Sequence, residues 1–312
     1  MAQTAVFVRI KGKAAVDVKT ILTVVAALVM ATAAAAQDET NSADVQKQVA
    51  ELIASMENSD WAGKAATDKL VEIGRPAVEQ LILALKHPKP RVRYWSAAAV
   101  ARIKDERAFQ PLVDLVKTDP SNMVRATALW YLQHFPRKEV WDLAIQVLDD
   151  PDRGMRGWAI KLLSTAARKE GVPKLKALTK HPDYMTRYDA MVGVVGLIDA
   201  EAVETLRDIL RADDHETVRK GALSCITILK EKPPVVLTVL IDGLEDRNEE
   251  VRAFAAKLLR KGANQSFYFQ PAGDPEARAA AVRAWRTWYE KHKDRLCWDP
   301  EKRRFEIRQE KS

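Results

Sequence analysis

Side chains able to bind metals are few in this sequence and widely separated. The chain has five histidines in 312 residues, and His215-Glu216 is its one adjacent histidine–glutamate pair. That pair lies in a short polar turn between two apolar segments, where a helix cap accounts for it. A metal centre needs histidine and carboxylate ligands that converge from several segments. We therefore expect no resident metal and no other cofactor.

The two cysteines do not belong to any recognisable nucleophile motif. Cys225 lies in the apolar stretch GALSCITIL, where a thiol acts as a packing group, and Cys297 lies near the C-terminus. We expect both cysteines to stay free, because one is predicted inside a helix core and the other in a tail. The sequence has no G-x-S-x-G, no H-E-x-x-H and no phosphate-binding glycine loop. Nucleophilic catalysis is therefore not expected.

Aromatic residues near cationic ones are the stronger candidates for a binding site. The chain has eight tryptophans. Six aromatic residues recur in one class of predicted helix, and these are Tyr94, Trp95, Trp130, Tyr131, Trp158 and Tyr188. Five cations lie on or at the start of the same helices, and these are Arg91, Arg102, Arg153, Lys161 and Arg168. Such a surface suits a peptide or an anionic polymer. The alternative is that the rings only fill space between helices.

One arginine recurs at a nearly constant interval along the chain. The arginines are Arg93, Arg125, Arg156, Arg187, Arg219 and Arg252, with intervals of 32, 31, 31, 32 and 33 residues. Three positions repeat with them: an apolar residue or threonine just before, a small residue three after, and an aliphatic residue seven after. These offsets lie on one face of a helix. They predict helices whose small residues let a neighbouring helix approach closely.

A second amphipathic segment precedes each of these helices. Examples are VEQLILAL at 78–85, VWDLAIQVL at 140–148 and AVETLRDIL at 202–210. The turns between the two segments are rich in Asp, Pro, Ser and Asn, which stop the first helix and cap the second. Each repeat therefore predicts a helix, a short turn and a second helix. Stacked units of this kind form an α-solenoid.

The repeated pattern of an aspartate, five residues, an arginine and a helix rich in small residues resembles the HEAT-repeat family. The stretches that carry the likeness are DPSNMVRATALWYL and DRNEEVRAFAAKLL. The likeness is to the short, phycobilisome-lyase-type form of the repeat, and it covers residues 44–292. It implies an all-α fold, an α-solenoid of about seven helical hairpins with a C-terminal capping helix and tail. It also implies that the second helices, with their aromatic residues, line a concave face.

The resemblance implies a structural role for the repeated charged residues, since aspartate and arginine form ladders between adjacent repeats in the family. Carried over, it pairs Asp119 with Arg125, Asp150 with Arg156, Asp213 with Arg219 and Asp246 with Arg252. A guanidinium suits this role because it can bridge carboxylates with two hydrogen bonds. Arg93 and Arg187 belong to the same set. Histidines, His87 and His181, stand at their aspartate positions, which predicts a broken ladder there.

The family also contains enzymes, and these supply the alternative functions. Deoxyhypusine hydroxylases of this fold bind iron through several His-Glu pairs, whereas this sequence has one. Bilin lyases hold a pigment for transfer to a cysteine of another protein, and no pigment pocket is marked in the sequence. HEAT-like DNA glycosylases suggest nucleic acid, which requires a sustained basic stripe. We therefore expect a non-catalytic scaffold or adaptor that binds a protein or peptide on its concave face, and no nucleic acid.

Residues 1–36 have the composition of an export signal. Four basic residues and one aspartate precede an uncharged run, 20–36, that ends in four alanines before Gln37. We expect cleavage there and a periplasmic or extracellular protein. The alternative is a membrane anchor formed by 20–36, because 17 residues are at the lower limit of a span. Cleavage lowers the formal net charge from +7 to +4, which weakens the case for nucleic acid.

These observations divide the sequence into five segments. They are a signal peptide or anchor at 1–36, a polar lead-in at 37–43, a HEAT-like solenoid at 44–261, a C-terminal cap at 262–292 and a charged tail at 293–312. The first and last repeats are expected to be atypical, because one of their faces meets water. Trp285 and Trp288 lie on one stripe of the last helix, and we expect them to cap the core.

Overall fold

The computed structural model describes residues 7–8, 16–17, 23–24, 27 and 43–308. The chain divides into two compact units, Met1–Leu115 and Val116–Ser312. The predicted signal peptide and the lead-in lie almost wholly outside the described residues, as do the last four residues of the predicted tail. Within the described part, no helix is both long and apolar enough to cross a membrane.

The first unit is built mainly of helices joined by short capped turns. Its elements are the paired strands β1 (Phe7–Val8) and β2 (Val16–Asp17), then α1 (43–55), α2 (Asp60–Ile73), α3 (Val78–Ala84) and α4 (Pro90–Ile103), while α5 (Phe109–Thr118) contains the division between the units. The hydroxyl of Ser59 accepts a hydrogen bond from the backbone N–H of Ala62 and so begins α2. That helix ends at Gly74, whose φ of 74° is a conformation that glycine adopts without strain. Both α2 and α3 pack against α4.

The second unit continues the alternation of helices and ends in a longer helix. Its helices are α6 (Asn122–Tyr131), α7 (Lys138–Val147), α8 (Arg153–Thr165), α9 (Val172–Leu178), α10 (Tyr184–Ile198), α11 (Val203–Ala212), α12 (Glu216–Ile228), α13 (Val236–Gly243), α14 (Glu249–Ala263) and α15 (Pro275–His292). Successive helices pack as pairs, α7 with α8, α9 with α10, α11 with α12 and α13 with α14. The second helices also pack on one another, from α6 through α8, α10 and α12 to α14. The predicted all-α solenoid fold is confirmed.

The polar turns start the second helices in the way the sequence predicted. The carboxylate of Asp152 accepts a hydrogen bond from the N–H of Met155 at 2.8 Å, and this begins α8. The carboxylate of Asp183 accepts one from the N–H of Thr186 at 2.9 Å, and this begins α10. Asn248 caps α14 in the same manner. These side chains satisfy N–H groups that have no partner within the helix.

The positions that repeat with the arginines form the core. The small residues three positions after the arginine are all fully buried, and these are Ser96, Ala128, Ala159, Ala190, Ala222 and Ala255. The residues directly before the arginine are buried too, and these are Val92, Val124, Met155, Thr186, Val218 and Val251. The predicted buried stripe is therefore confirmed. Its small members leave room for the second helices to pack closely against their neighbours.

The helix α15 closes the C-terminal end of the second unit. It packs against α13 and buries Trp285, which is 2% exposed. The ring of Trp285 meets the rings of Phe267 and Trp288 edge-on, with centroid distances of 4.8 and 5.8 Å. Edge-on contacts of this kind are favourable for aromatic rings. Trp285 therefore covers the end of the core, as its position in the sequence suggested.

A short hairpin follows α15. Strand β3 (Leu296–Asp299) pairs antiparallel with β4 (Arg304–Ile307). The second strand rests on α14, and Phe305 is buried there. This hairpin lies in the segment predicted as a charged tail. The alternating segment RRFEIR left a short strand and a loose tail as alternatives, and β4 forms there.

Candidate functional site

The repeated arginines pair with the aspartate of the following repeat. The Nε and Nη2 of Arg187 donate to the two carboxylate oxygens of Asp213 at 2.7 and 2.8 Å. Arg219 holds Asp246 in the same bidentate way, at 2.7 and 2.9 Å, and Nη2 of Arg125 donates to the carboxylate of Asp150. The carried-over pairing of each carboxylate with the arginine of its own repeat was therefore wrong. The physical reason is that the arginine side chain is long enough to reach the next repeat.

The arginine still contacts its own repeat, but through backbone carbonyls. The Nη1 donates to the carbonyl six residues before it in five repeats, from Arg93 to His87, Arg156 to Asp150, Arg187 to His181, Arg219 to Asp213 and Arg252 to Asp246. A carbonyl is present whatever the side chain, so histidine is tolerated at this position. Arg93 and Arg187 therefore keep this contact although a histidine stands at the aspartate position of their own repeats. The break expected at His181 lies between its repeat and the preceding one, at Arg156.

The ladder of carboxylates is interrupted after Arg156. The next repeat has His181 instead of aspartate, and Nη2 of Arg156 donates to the hydroxyl of Thr186 at 2.7 Å. The Nε of Arg156 is buried and finds no acceptor among the described residues. At the end of the array, Nε and Nη2 of Arg252 both donate to the carbonyl of Pro271, at 2.9 and 2.7 Å. That carbonyl takes the place of the aspartate carboxylate to which Arg125, Arg187 and Arg219 donate.

Electrostatics agree with a structural role for these pairs. Burial opposes the charged form of Asp213, but hydrogen bonds from Arg187 and from the backbone N–H of His215 outweigh it and lower the pKa of the carboxyl. The hydrogen bond to Asp246 raises the pKa of Arg219 above its ordinary value. Asp213 and Arg219 are therefore charged at neutral pH. Asp119, for which the sequence predicted a ladder role, accepts a hydrogen bond from the backbone N–H of Ser121 at 2.8 Å.

Two of the aromatic residues predicted to bind a partner pack against glycines of neighbouring helices. A Cβ at Gly63 would lie 2.1 Å from Nε1 of Trp95, and a Cβ at Gly221 would lie 2.5 Å from the ring of Tyr188. The indole N–H of Trp95 is buried and finds no acceptor among the described residues. These contacts support the packing alternative for Trp95 and Tyr188, but both rings are half-buried, so their role in binding stays a prediction.

Tyr94 and Tyr131 are half-buried beside other rings. Tyr94 meets Trp95 edge-on at a centroid distance of 4.8 Å. Tyr131 stacks on His134 at 5.8 Å, at the end of α6.

Trp130, Trp158 and Lys161 form a compact group on α6 and α8, which we call the Trp–Lys cluster. The two indole rings have their centroids 5.5 Å apart at an angle of 56°. The ammonium of Lys161 lies 4.8 Å from the centroid of Trp130 and 4.9 Å from that of Trp158. Trp158 is 36% exposed. The cluster therefore offers solvent two aromatic surfaces and a cation that makes no ion pair within the described residues.

The cysteines and His215, which could in principle take part in catalysis or metal binding, have structural roles. Cys225 is 3% exposed, and burial raises the pKa of its thiol to about 11. Both cysteines are free, and the thiol of Cys297 donates to the carbonyl of Glu306 at 3.5 Å. His215 caps α12 through its Nδ1, which accepts from the N–H of Thr217. Among the described residues, no group of three or more His, Cys, Asp or Glu side chains is placed to hold a metal ion.

The stacked helix pairs and the arginine–aspartate pairs between them define an α-helical repeat protein. The family model described as HEAT repeats matches residues 38–133, 141–227 and 172–260. The chain therefore belongs to the HEAT-repeat family, as its motifs indicated.

Two curated relatives are similar to part of the chain. The phycocyanobilin lyase subunit beta of Nostoc sp. (strain PCC 7120) is 26% identical over 171 residues, which cover 53% of this chain and 76% of the relative. The phycocyanin alpha phycocyanobilin lyase CpcF of Synechocystis sp. (strain PCC 6803) is 32% identical over 124 residues, which cover 36% of this chain and 58% of the relative. A chain from the solved complex of CpcE and CpcF of the Nostoc phycocyanin lyase is similar in structure. The match covers 75% of this chain and 93% of the solved chain, with 17% sequence identity and a TM-score of 0.39.

The expectation of a non-catalytic protein is contradicted by these relatives. Both of them are lyases or lyase subunits by name. The expectation rested on the absence of metal, nucleophile and phosphate-binding motifs from the sequence. Those motifs belong to other chemistries, so their absence does not separate a lyase subunit from a scaffold.

Proposed function

We propose that the chain is the protein-binding subunit of an enzyme of the phycocyanobilin lyase type, and that it holds its protein partner at the Trp–Lys cluster. The two curated relatives support the enzymatic part of this proposal. The HEAT-repeat architecture supports the binding part, because stacked helix pairs present an extended surface that contacts a partner with residues from several repeats.

The single observation that carries the proposal is the exposure of Trp158 beside Lys161. A tryptophan on a soluble protein's surface offers a large, rigid apolar area at little cost in conformational entropy, and such residues dominate binding energies at interfaces. Trp130 lies behind Trp158 and supports its ring. The cluster therefore combines a hot-spot side chain with the rigid support that keeps it in place.

Charge specifies the partner's chemistry. Arg153, at the start of α8, is already paired with Asp189 at 3.1 Å. Lys161 on the same helix has no such carboxylate within the described residues, so it is available to an incoming acidic group. An apolar or aromatic side chain on the partner would cover the two indoles, and an adjacent Asp or Glu would pair with Lys161. We therefore propose an acidic segment with an exposed apolar residue as the partner's contact site.

Replacing Trp158 by alanine is expected to weaken partner binding at least about 30-fold, because loss of a central tryptophan costs about 2 kcal/mol or more. The partner would first be identified by crosslinking and mass spectrometry in the native host, and the dissociation constants then compared by calorimetry. Trp61→Ala is the matched control, since Trp61 is 81% exposed and lies in the other unit. Equal affinity of the wild type and Trp158→Ala would remove the cluster from the interface.

We propose further that the protein is exported and cleaved before Gln37, as the basic segment and uncharged run of residues 1–36 indicate. Intact-mass measurement of the protein purified from its host should then give a chain that begins at Gln37. Recovery of the whole chain from the membrane fraction would favour the anchor instead. Recovery of the whole chain from the cytosol would contradict export.

A further inference from the structure

A small pocket lies between the C-terminal hairpin and the helices α12, α13 and α14. Its volume is about 110 Å³. Its floor is apolar and is formed by Ile226, Val236, Leu237, Leu240 and Leu258. Trp298 and Phe305 of the hairpin form its wall. The residues of the pocket are distinct from those of the Trp–Lys cluster and belong to the C-terminal repeats and the hairpin.

Three cations line the same pocket, and no carboxylate does. The cations are Lys232, Lys261 and Arg303. The ammonium of Lys232 lies 4.8 Å from the ring centroid of Trp298 and donates to the carbonyl of Leu229. Lys261 and Arg303 make no hydrogen bond or ion pair within the described residues. Like charges gathered beside an apolar floor repel one another, and an anion bound among them would relieve that repulsion.

Asp199, the acidic group whose charge acts on Lys232, already accepts other hydrogen bonds. Burial lowers the pKa of Lys232, the charge of Asp199 opposes this shift and the charge of Arg303 adds to it. The carboxylate of Asp199 accepts hydrogen bonds from the backbone N–H groups of Lys230 and Glu231 at 2.8 and 3.0 Å. It does not line the pocket. The cationic rim therefore stays available to an anion from solution.

We propose that this pocket binds a carboxylate carried on a short apolar chain. The chain would fill the apolar floor, and the carboxylate would meet Lys232 and Arg303 at the rim. An apolar cavity of about 150 Å³ accommodates benzene, so the smaller pocket suits a chain of about four or five carbons. Free short-chain carboxylic acids share this chemistry with the last residue of a peptide that ends in leucine or isoleucine.

Calorimetric titration of the full chain with a series of carboxylates tests the proposal. From propanoate to hexanoate, the dissociation constant should fall about fourfold for each added methylene, as burial of that group predicts. Hexanol and hexylamine should bind at least about tenfold more weakly than hexanoate, because they lack the charge that the rim pairs with. No binding of hexanoate, or equal binding of hexanol, would overturn the proposal.

Peptides in the same titration distinguish the two sources of the ligand. Acetyl-Gly-Leu with a free carboxylate should bind, and the same dipeptide with a C-terminal amide should lose at least about tenfold in affinity. Tighter binding of the free dipeptide than of hexanoate would assign the pocket to a peptide terminus. The reverse order would assign it to a free acid, and both results support the shared chemistry.

Substitutions of the rim locate the binding. Lys232→Met and Arg303→Gln should each weaken hexanoate binding about tenfold, since each removes a charge-assisted hydrogen bond. Arg260→Gln is the matched control, because Arg260 lies on α14 one residue from Lys261 but does not line the pocket. Arg303 is exposed, so its variant should fold even if Lys232→Met does not. Unchanged affinity of Arg303→Gln would contradict the assigned site.

Discussion

Replacing Arg219 by methionine is expected to lower the free energy of unfolding by about 3–5 kcal/mol. The side chains of Arg219 and Asp246 are each 3% exposed, and two hydrogen bonds of 2.7 and 2.9 Å join them. Methionine keeps an apolar stem of similar length but leaves the carboxylate of Asp246 buried without a counter-charge. The free energy of unfolding falls because a buried carboxylate without a counter-charge is poorly solvated. Urea denaturation followed by circular dichroism measures the loss.

A pair with an exposed arginine provides the control for this variant. Arg211 pairs with Asp242 at 2.7 Å but is 61% exposed, so Arg211→Gln should cost less than about 1 kcal/mol. Replacing Arg219 by methionine and Asp246 by leucine together removes both charges and should recover part of the loss. Equal destabilisation by Arg219→Met and Arg211→Gln would show that burial of the ladder does not govern its strength.

Replacing Trp285 by alanine is expected to lower the free energy of unfolding by about 3–5 kcal/mol. Trp285 is the largest of the fully enclosed side chains of the second unit and lies between α15 and the rest of the core. Its removal leaves a cavity lined by Phe267 and Trp288, and α15 loses its main attachment. Hydrogen exchange should therefore show faster exchange throughout Pro275–His292, in addition to the shift of the urea midpoint.

Trp61→Ala is the matched control for the same change of residue type. Trp61 is 81% exposed, so its truncation should alter the free energy of unfolding by no more than about 0.5 kcal/mol. If both tryptophan variants shifted the urea midpoint equally, the role of Trp285 as a cap of the core would be refuted.

Much of the fold could be predicted because the same pattern of residues recurs in every repeat. The arginine, the small residue three positions later and the aliphatic residue seven positions later lie on one helical face, and each repeat supplies the same evidence again. The partner of each arginine could not be predicted in this way. Arg187 and Asp213 are 26 residues apart, and their contact depends on how one repeat stacks on the next.

The candidate site was predicted only in part. Trp130 and Trp158 were identified from their helices, but the sequence could not show that Trp95 and Tyr188 in the same group also pack against glycines. That information lies in the neighbouring helix, where the absence of a side chain at Gly63 leaves room for the ring of Trp95. The pocket beside the C-terminal hairpin was not predicted, because it forms between β3, β4 and helices whose contact the local sequence does not encode.

The pairing of Arg125, Arg187 and Arg219 with the aspartate of the next repeat makes the repeat a unit of inheritance as well as of structure. Every repeat of 31 to 33 residues supplies one arginine for the contact with the next repeat and one residue for the contact with the preceding repeat. Each contact of this kind is a joint between two repeats. Duplication of a whole unit therefore creates complete joints without any compensating substitution. The joint at Arg156, where Thr186 accepts in place of a carboxylate, shows that such an array also survives the loss of one partner. Duplication or deletion of whole repeats can thus lengthen or shorten this protein while the contacts between its repeats stay the same.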